Sequence, residues 1–241
     1  MHSVHGGSKR VSSSEYNFST NLTQKSVSQD FKQYFCEVKS ATVPFFIRIL
    51  FPSLVWHMPR GRRRIYLTFD DGPHPEITPK VLSMLEKFNA KATFFCVGQN
   101  VDRFPETYQM ILDAGHKTGN HSFNHLKGWN ETARSYVDNV MKAQLLIQSE
   151  FFRPPYGRIT SSQIRRLKPK FRIIMWSVLS YDFDKNTSPE QCLSNVTDHV
   201  KDGDIVVFHD SEKAAKNMLS TLPKVLEDLT TKGFAFPTLN G

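Results

Sequence analysis

The chain has 241 residues, 39% of them hydrophobic and 22% charged, proportions of an ordinary globular protein that exclude collagen-like, coiled-coil and wholly disordered classes. Its formal net charge is +8, and half of that excess lies in the first quarter of the sequence. This balance favours anionic partners through long-range attraction. Nucleic acid is not the expected partner, because the clusters at Arg60–Arg64 and Arg165–Arg172 lack interleaved aromatics or a binding motif.

Residues 1–40 are rich in Ser, Gln, Asn and Lys and show neither helical nor strand periodicity. Too little apolar surface is available there to offset ordering entropy, so a poorly ordered extension is expected. It opens with neither a charged n-region nor an apolar run, so no signal peptide is visible, and cytoplasmic and envelope-associated locations both stay open. Residues 41–62 form an apolar segment expected to pack on the following domain. Its apolar run, 43–56, is shorter than the ~20 residues of a membrane-spanning helix. Pro44, Arg48 and Pro52 interrupt it, which leaves at most an interfacial membrane association.

From residue 63 to 241 short β-rich runs alternate with longer amphipathic ones, the pattern of successive βα units in one domain. Strands are predicted at 65–69, 92–97, 117–120, 151–154, 172–177, 205–208 and 234–239. Helices are predicted at 78–88, 105–114, 131–149, 161–167, 189–200 and 218–231. Thr78-Pro79 and Ser188-Pro189 fit helix starts with a hydroxyl cap and a proline in the first turn, and Gly115 and Gly233 fit helix stops. Seven such units imply an α/β fold, a single distorted (β/α) barrel. Three widely spaced cysteines without a CxxC argue for free thiols rather than a disulfide framework, with Cys96 acting as a small core hydrophobe.

Chemistry gathers at the predicted carboxyl ends of these strands. Thr68-Phe69-Asp70-Asp71-Gly72-Pro73 places two adjacent carboxylates before a Gly-Pro turn. Alternation along a strand lets one face a cation, which would relieve their repulsion, while the other reaches a different point of the same mouth. His121 and His125 stand four apart after another strand, a spacing that lets both rings converge on one ion. Residue 122 is Ser rather than Glu, so the HExxH zinc-protease reading fails. Asp71, His121 and His125 would form a two-His, one-carboxylate site with open positions, a set shared by hydrolytic zinc enzymes and non-haem iron oxygenases. Arg153 precedes paired prolines and suits bidentate contact with a carboxylate. His209 ends an apolar strand, and Asp182, if it meets that imidazole, would fix its tautomer and raise its pKa. In a parallel barrel all these strand ends share one face, where catalytic sites of such barrels lie.

The motifs TFDDGP, HSxxH and RPPYG, with a last strand ending in His209, resemble the polysaccharide deacetylases with the NodB homology domain (carbohydrate esterase family 4-like) over residues 63–240. The resemblance implies a seven-stranded NodB-like barrel and a metal-dependent hydrolase that removes acetyl groups from the N-acetylated sugars of a glycan. It further implies a divalent metal, commonly Zn2+ with Co2+ or another ion possible, on Asp71, His121 and His125. Asp70 would be the base, His209 the acid, Arg153 the residue orienting the base, Asp182 the partner of the acid, and the Tyr156 backbone N–H an oxyanion donor. The family's DxxDW motif reads Leu179-Ser180-Tyr181-Asp182-Phe183 here, lacking the first Asp and the Trp, and Val207 replaces a usual Leu at the acetyl-methyl pocket. An O-acetyl esterase acting on acetylated glycans and a non-catalytic glycan-binding module are the competing readings. Oligomeric state is not legible.

Overall fold

The computed structural model describes residues 40–240, so the reading of residues 1–39 and Cys36 lies outside the described residues. Seven parallel strands, β1 (Tyr66–Asp70), β2 (Ala92–Cys96), β3 (Lys117–Asn120), β4 (Phe151–Phe152), β5 (Arg172–Ile173), β6 (Val178–Leu179) and β7 (Ile205–His209), curl into a half-barrel of order β5-β4-β3-β2-β1-β7-β6. The described helices are α1 (Phe45–Leu50), α2 (Ile77–Lys87), α3 (Gly98–Arg103), α4 (Pro105–Asp113), α5 (Ala133–Ile147), α6 (Ser161–Leu167), α7 (Pro189–Thr197) and α8 (Glu212–Thr231).

Most strand residues are buried, as in a parallel sheet covered on both faces. Along β1, Leu67 and Phe69 face the surrounding helices, and Phe69 stacks on Phe94 of β2 at 5.0 Å and on Phe208 of β7 at 6.0 Å. The alternate residues Thr68 and Asp70 belong to the inner face, which holds polar groups instead of an oily filling. The long helix α8 buries Ala214, Met218, Leu222, Val225, Leu226 and Leu229, a three-and-four spacing that lays one stripe on the core.

Seven strands are present, but not the seven predicted. Of the run 172–177 only Arg172–Ile173 forms a strand, β5, which pairs with β4, and the unpredicted β6 begins just beyond the run at Val178 and pairs with β7. The same extended chain thus serves both edges of the sheet. Residues 234–239 form no strand, and Ala235 makes only an isolated bridge to Arg64. The apolar run at 41–58 lies across the seam between β5 and β6: the Val55 amide donates to the Ile173 carbonyl (2.9 Å), Met175 donates back to Val55 (2.7 Å), and Leu179 donates to Ala41 (2.8 Å). These bonds occupy edge groups that would otherwise offer a template for strand addition.

Local signals explain most helix ends. Ser188 caps α7 by accepting from the Gln191 amide, and Gly115 and Gly233 adopt the positive φ values (73° and 78°) of helix stops. Thr78 departs from expectation: α2 begins one residue earlier, and the Thr78 hydroxyl accepts from the His74 amide (2.8 Å) while donating to Asp210 (2.5 Å). Helix α8 starts at Glu212, six residues before the predicted start, and continues through Pro223. Cys96 and Cys192 are free and buried.

Replacing Phe69 with Ala should destabilise the fold by about 3–5 kcal/mol, the usual penalty for emptying an aromatic site in a tightly packed core. Equilibrium denaturation of the two proteins measures it, with a loss below 1 kcal/mol, order-of-magnitude for a surface change, contradicting the packing described.

Candidate active site

The site begins where β1 ends. Asp70 is the last strand residue and is paired in register with His209 of β7. Asp71 turns out of the strand with φ 80°, and both carboxylates reach the same mouth, as expected. Asp70 Oδ2 lies 3.9 Å and Asp71 Oδ1 3.7 Å from Nε2 of His121. Gly72 is required by the next step of the chain, since a Cβ there would stand 2.1–2.5 Å from the Asp210 carboxylate. That carboxylate instead accepts from the Gly72 amide (3.1 Å) and the Thr78 hydroxyl, and the Asp71 carbonyl accepts from Asn100 (2.7 Å).

His121 follows β3, and its Nδ1 donates to the Arg153 carbonyl at 2.8 Å. A carbonyl can only accept, so the proton sits on Nδ1 and Nε2 is left with a lone pair facing the aspartates. Burial lowers the His121 pKa to about 4, against the attraction of Asp70 and Asp71. It is therefore neutral at pH 7, the form that binds a cation. His125 Nε2 stands 3.0 Å from Asp71 Oδ1, and left-handed conformations at Ser122 (φ 62°) and His125 (φ 55°) turn this ring back toward His121. For Asp71, burial favours the neutral form, but the hydrogen bond from His125 and the positive potential of the histidines outweigh it and hold the carboxyl well below the ordinary range. Ligand atoms of Asp71, His121 and His125 lie within 4.8 Å of one another. An ionised oxygen and two imidazole nitrogens at this spacing fit one divalent ion.

Arg153 is fully buried. Its guanidinium donates to Asp70 Oδ1 (2.6 Å), the Thr68 hydroxyl (2.8 Å), and the carbonyls of Met175 (2.9 Å) and Ile174 (3.3 Å), and it lies 4.0 Å over the Phe95 ring. Across the ladder, both Asp182 oxygens hold His209: one accepts from the His209 amide and the other pairs with Nδ1, each at 2.7 Å. Burial opposes a charge on His209, but Asp182, with help from Asp71 and Asp70, raises its pKa to about 9. Phe183 sets its ring edge-to-face on His209 at 4.9 Å, and Asn217 ties the Asp182 carbonyl at 3.2 Å. Tyr156 adopts φ 60°, ψ 11°, and its ring sits 4.6 Å from that of His125, which puts the Arg153–Gly157 loop beside the histidines.

All eight residues singled out in the sequence therefore border or support this one mouth. Thr68, Asn100, Asp210 and Asn217 act in it as well and were not singled out. The only sequence trace of Asp210 is its place directly after His209, and the polar Thr68 inside an apolar strand is the trace of the buried guanidinium it meets.

Residues 57–169 match the family model described as polysaccharide deacetylase. A peptidoglycan-N-acetylglucosamine deacetylase of Bacillus cereus is 31% identical over 194 residues, which is 78% of this chain and 91% of that protein. A chitooligosaccharide deacetylase of Azorhizobium caulinodans is 31% identical over 75% of this chain and 94% of its own length. Among solved structures, the Bc1960 peptidoglycan N-acetylglucosamine deacetylase in complex with 4-naphthalen-1-yl-N-oxidanyl-benzamide matches with a TM-score of 0.76 at 31% identity, over 82% of this chain and 95% of that one.

The Asp182–His209 pair makes a titration forecast for the metal-free protein. The raised pKa means that its stabilising effect is fully present below the ordinary value near 6.5 and fades as pH rises through about 9. NMR titration of the His209 ring should show a midpoint well above 6.5, and Asp182→Asn should move it downward; an unmoved midpoint contradicts the pairing.

Proposed function

The chain belongs to the polysaccharide deacetylase family, and from that premise we propose that it hydrolyses the acetamide of N-acetylglucosamine units in a glycan, with Asp71, His121 and His125 as ligands of one zinc ion. One observation carries the reading. A cation-binding cluster, a carboxylate held by a buried arginine and a carboxylate-paired histidine converge on a single mouth.

A divalent ion held by these three ligands would supply Lewis-acid polarisation of a carbonyl and a water acidified toward neutrality. The protein supplies the proton inventory. Asp70 acts as the base: its Oδ1 is occupied by Arg153, which leaves Oδ2, the oxygen nearest His121, to take a proton from the attacking water. His209 acts as the acid: Asp182 occupies Nδ1, so the proton delivered to the departing nitrogen comes from Nε2. Because Asp182 keeps this ring charged at neutral pH, the proton is in place before the C–N bond breaks. The Tyr156 backbone N–H is assigned to steady the developing oxyanion, a role supported by the contact of its ring with His125 at 4.6 Å. Arg153 positions Asp70 and remains out of contact with substrate.

The glycan class follows from the relatives, whose names include peptidoglycan N-acetylglucosamine and chitooligosaccharide deacetylases. In this chain Phe183 and Tyr181 stack obliquely at 5.8 Å beside His209 and offer an apolar wall for a sugar face.

Acetate release from chitooligosaccharides and from peptidoglycan, measured with added zinc or cobalt and after chelation, tests the activity. Turnover should vanish on chelation and return with metal. Asp70→Asn and His209→Ala should each lower kcat by about 10²–10⁴, with metal content by elemental analysis unchanged in Asp70→Asn. Acetate release that survives Asp70→Asn undiminished would remove Asp70 from its assigned role.

A further inference from the structure

The barrel end opposite the histidine cluster has a different character. Two adjoining cavities of about 410 and 430 Å³ open there and share Met58, Pro59 and Arg172 in their walls. Between them their linings carry Arg48, Arg60, Arg62, Arg64 and Arg172 and no carboxylate. The two acidic groups nearby are already engaged: Asp202 accepts from the backbone amides of Gly61, Arg62 and Arg64, and Asp204 is buried and stands 3.9 Å from Arg60. Five arginines against these two carboxylates leave the groove net positive.

Arg48, which lines the first cavity, belongs to α1, the short helix that lies on the barrel seam. Ile47 of that helix is buried at 1% exposure, whereas Phe45, Phe46, Ile49 and Leu50 are 75%, 54%, 59% and 48% exposed. A helix that turns one apolar residue inward and presents four outward shows water a surface that ordinary packing would hide. Exposed apolar side chains on the helix that also contributes Arg48 to an arginine-lined groove match one kind of partner, a layer with anionic headgroups above hydrocarbon.

We propose that this end of the barrel is a docking surface for an anionic phospholipid bilayer, with Phe45, Ile49 and Leu50 entering the interface and the arginine groove receiving headgroup phosphates. No helix among the described residues is long and apolar enough to cross a membrane, and the contact proposed here is an interfacial one. The strands run from this end toward the histidine cluster, so the docked protein holds its reactive mouth away from the lipid, open to a glycan arriving from the aqueous side.

The test is co-sedimentation of the full chain with vesicles of phosphatidylcholine alone or mixed with phosphatidylglycerol, at low and high salt. Binding should require the anionic lipid, weaken with salt, and fall about fivefold for each arginine removed in Arg60→Gln and Arg62→Gln. The triple change Phe45→Ser, Ile49→Ser, Leu50→Ser should abolish it while leaving the melting curve intact; if that protein fails to fold, Phe45→Ser alone should weaken binding several-fold. Four results would overturn the proposal. They are no sedimentation with anionic vesicles at low salt, binding that survives the apolar changes, binding displaced by millimolar inorganic phosphate, and size-exclusion evidence that these side chains are buried in a dimer.

Discussion

The whole site hangs on the burial of one cation. The Arg153 guanidinium is enclosed in the barrel, where an uncompensated charge would be ruinous, and the surrounding chain answers it with a carboxylate, a hydroxyl, two carbonyls and an aromatic face. Those partners come from β1, from β2 and from the extended chain between β5 and β6, so satisfying one side chain fixes three parts of the sheet relative to each other. The same residue works through its backbone: its amide donates to Asn120 and its carbonyl receives Nδ1 of His121. The orientation of the Asp70 carboxylate and the tautomer of His121 are thus two results of one buried group.

Around this rigid interior the loops carry conformations that side chains seldom adopt. Asp71, Ser122, His125, Tyr156 and Tyr181 all have positive φ, five of the eight such non-glycine residues among those described. They cluster at the carboxyl ends of the strands, where strained backbone is characteristic of functional sites. Each bend has a local support, such as the Asn100 bond to the Asp71 carbonyl and the Asn120 side chain that accepts from Ser122. Strain is tolerated here because neighbouring side chains hold it in place.

Much of this was legible in the sequence because the strong signals are local. The double aspartate, the histidine pair, the Arg-Pro-Pro loop and the terminal histidine each sit next to a strand whose apolar run is easily seen, and a parallel barrel brings such ends together whatever the loops do. Features set by tertiary pairing were not legible. Nothing between Arg172 and Leu179 marks where the chain leaves β4 for β7, since no glycine or proline stands there. The stretch 234–239 has strand composition but finds only one bridge partner, and α3 is six residues long and begins with Gly98, which hides it from periodicity. The positive φ of Asp71 was not legible either, because the alternation rule assumes an extended backbone that this residue abandons.

The pairing of Asp70 with His209 across adjacent parallel strands has a wider meaning. In the proposed reaction the separation of proton acceptor and proton donor is a ladder spacing, fixed by main-chain geometry that no surface loop can stretch. The segments that would greet a sugar, by contrast, are loops such as those bearing Tyr156 and Phe183. Evolution on such a scaffold can therefore retune which polymer is admitted without reopening the reaction itself, and grafted loops from a cousin would inherit a working engine.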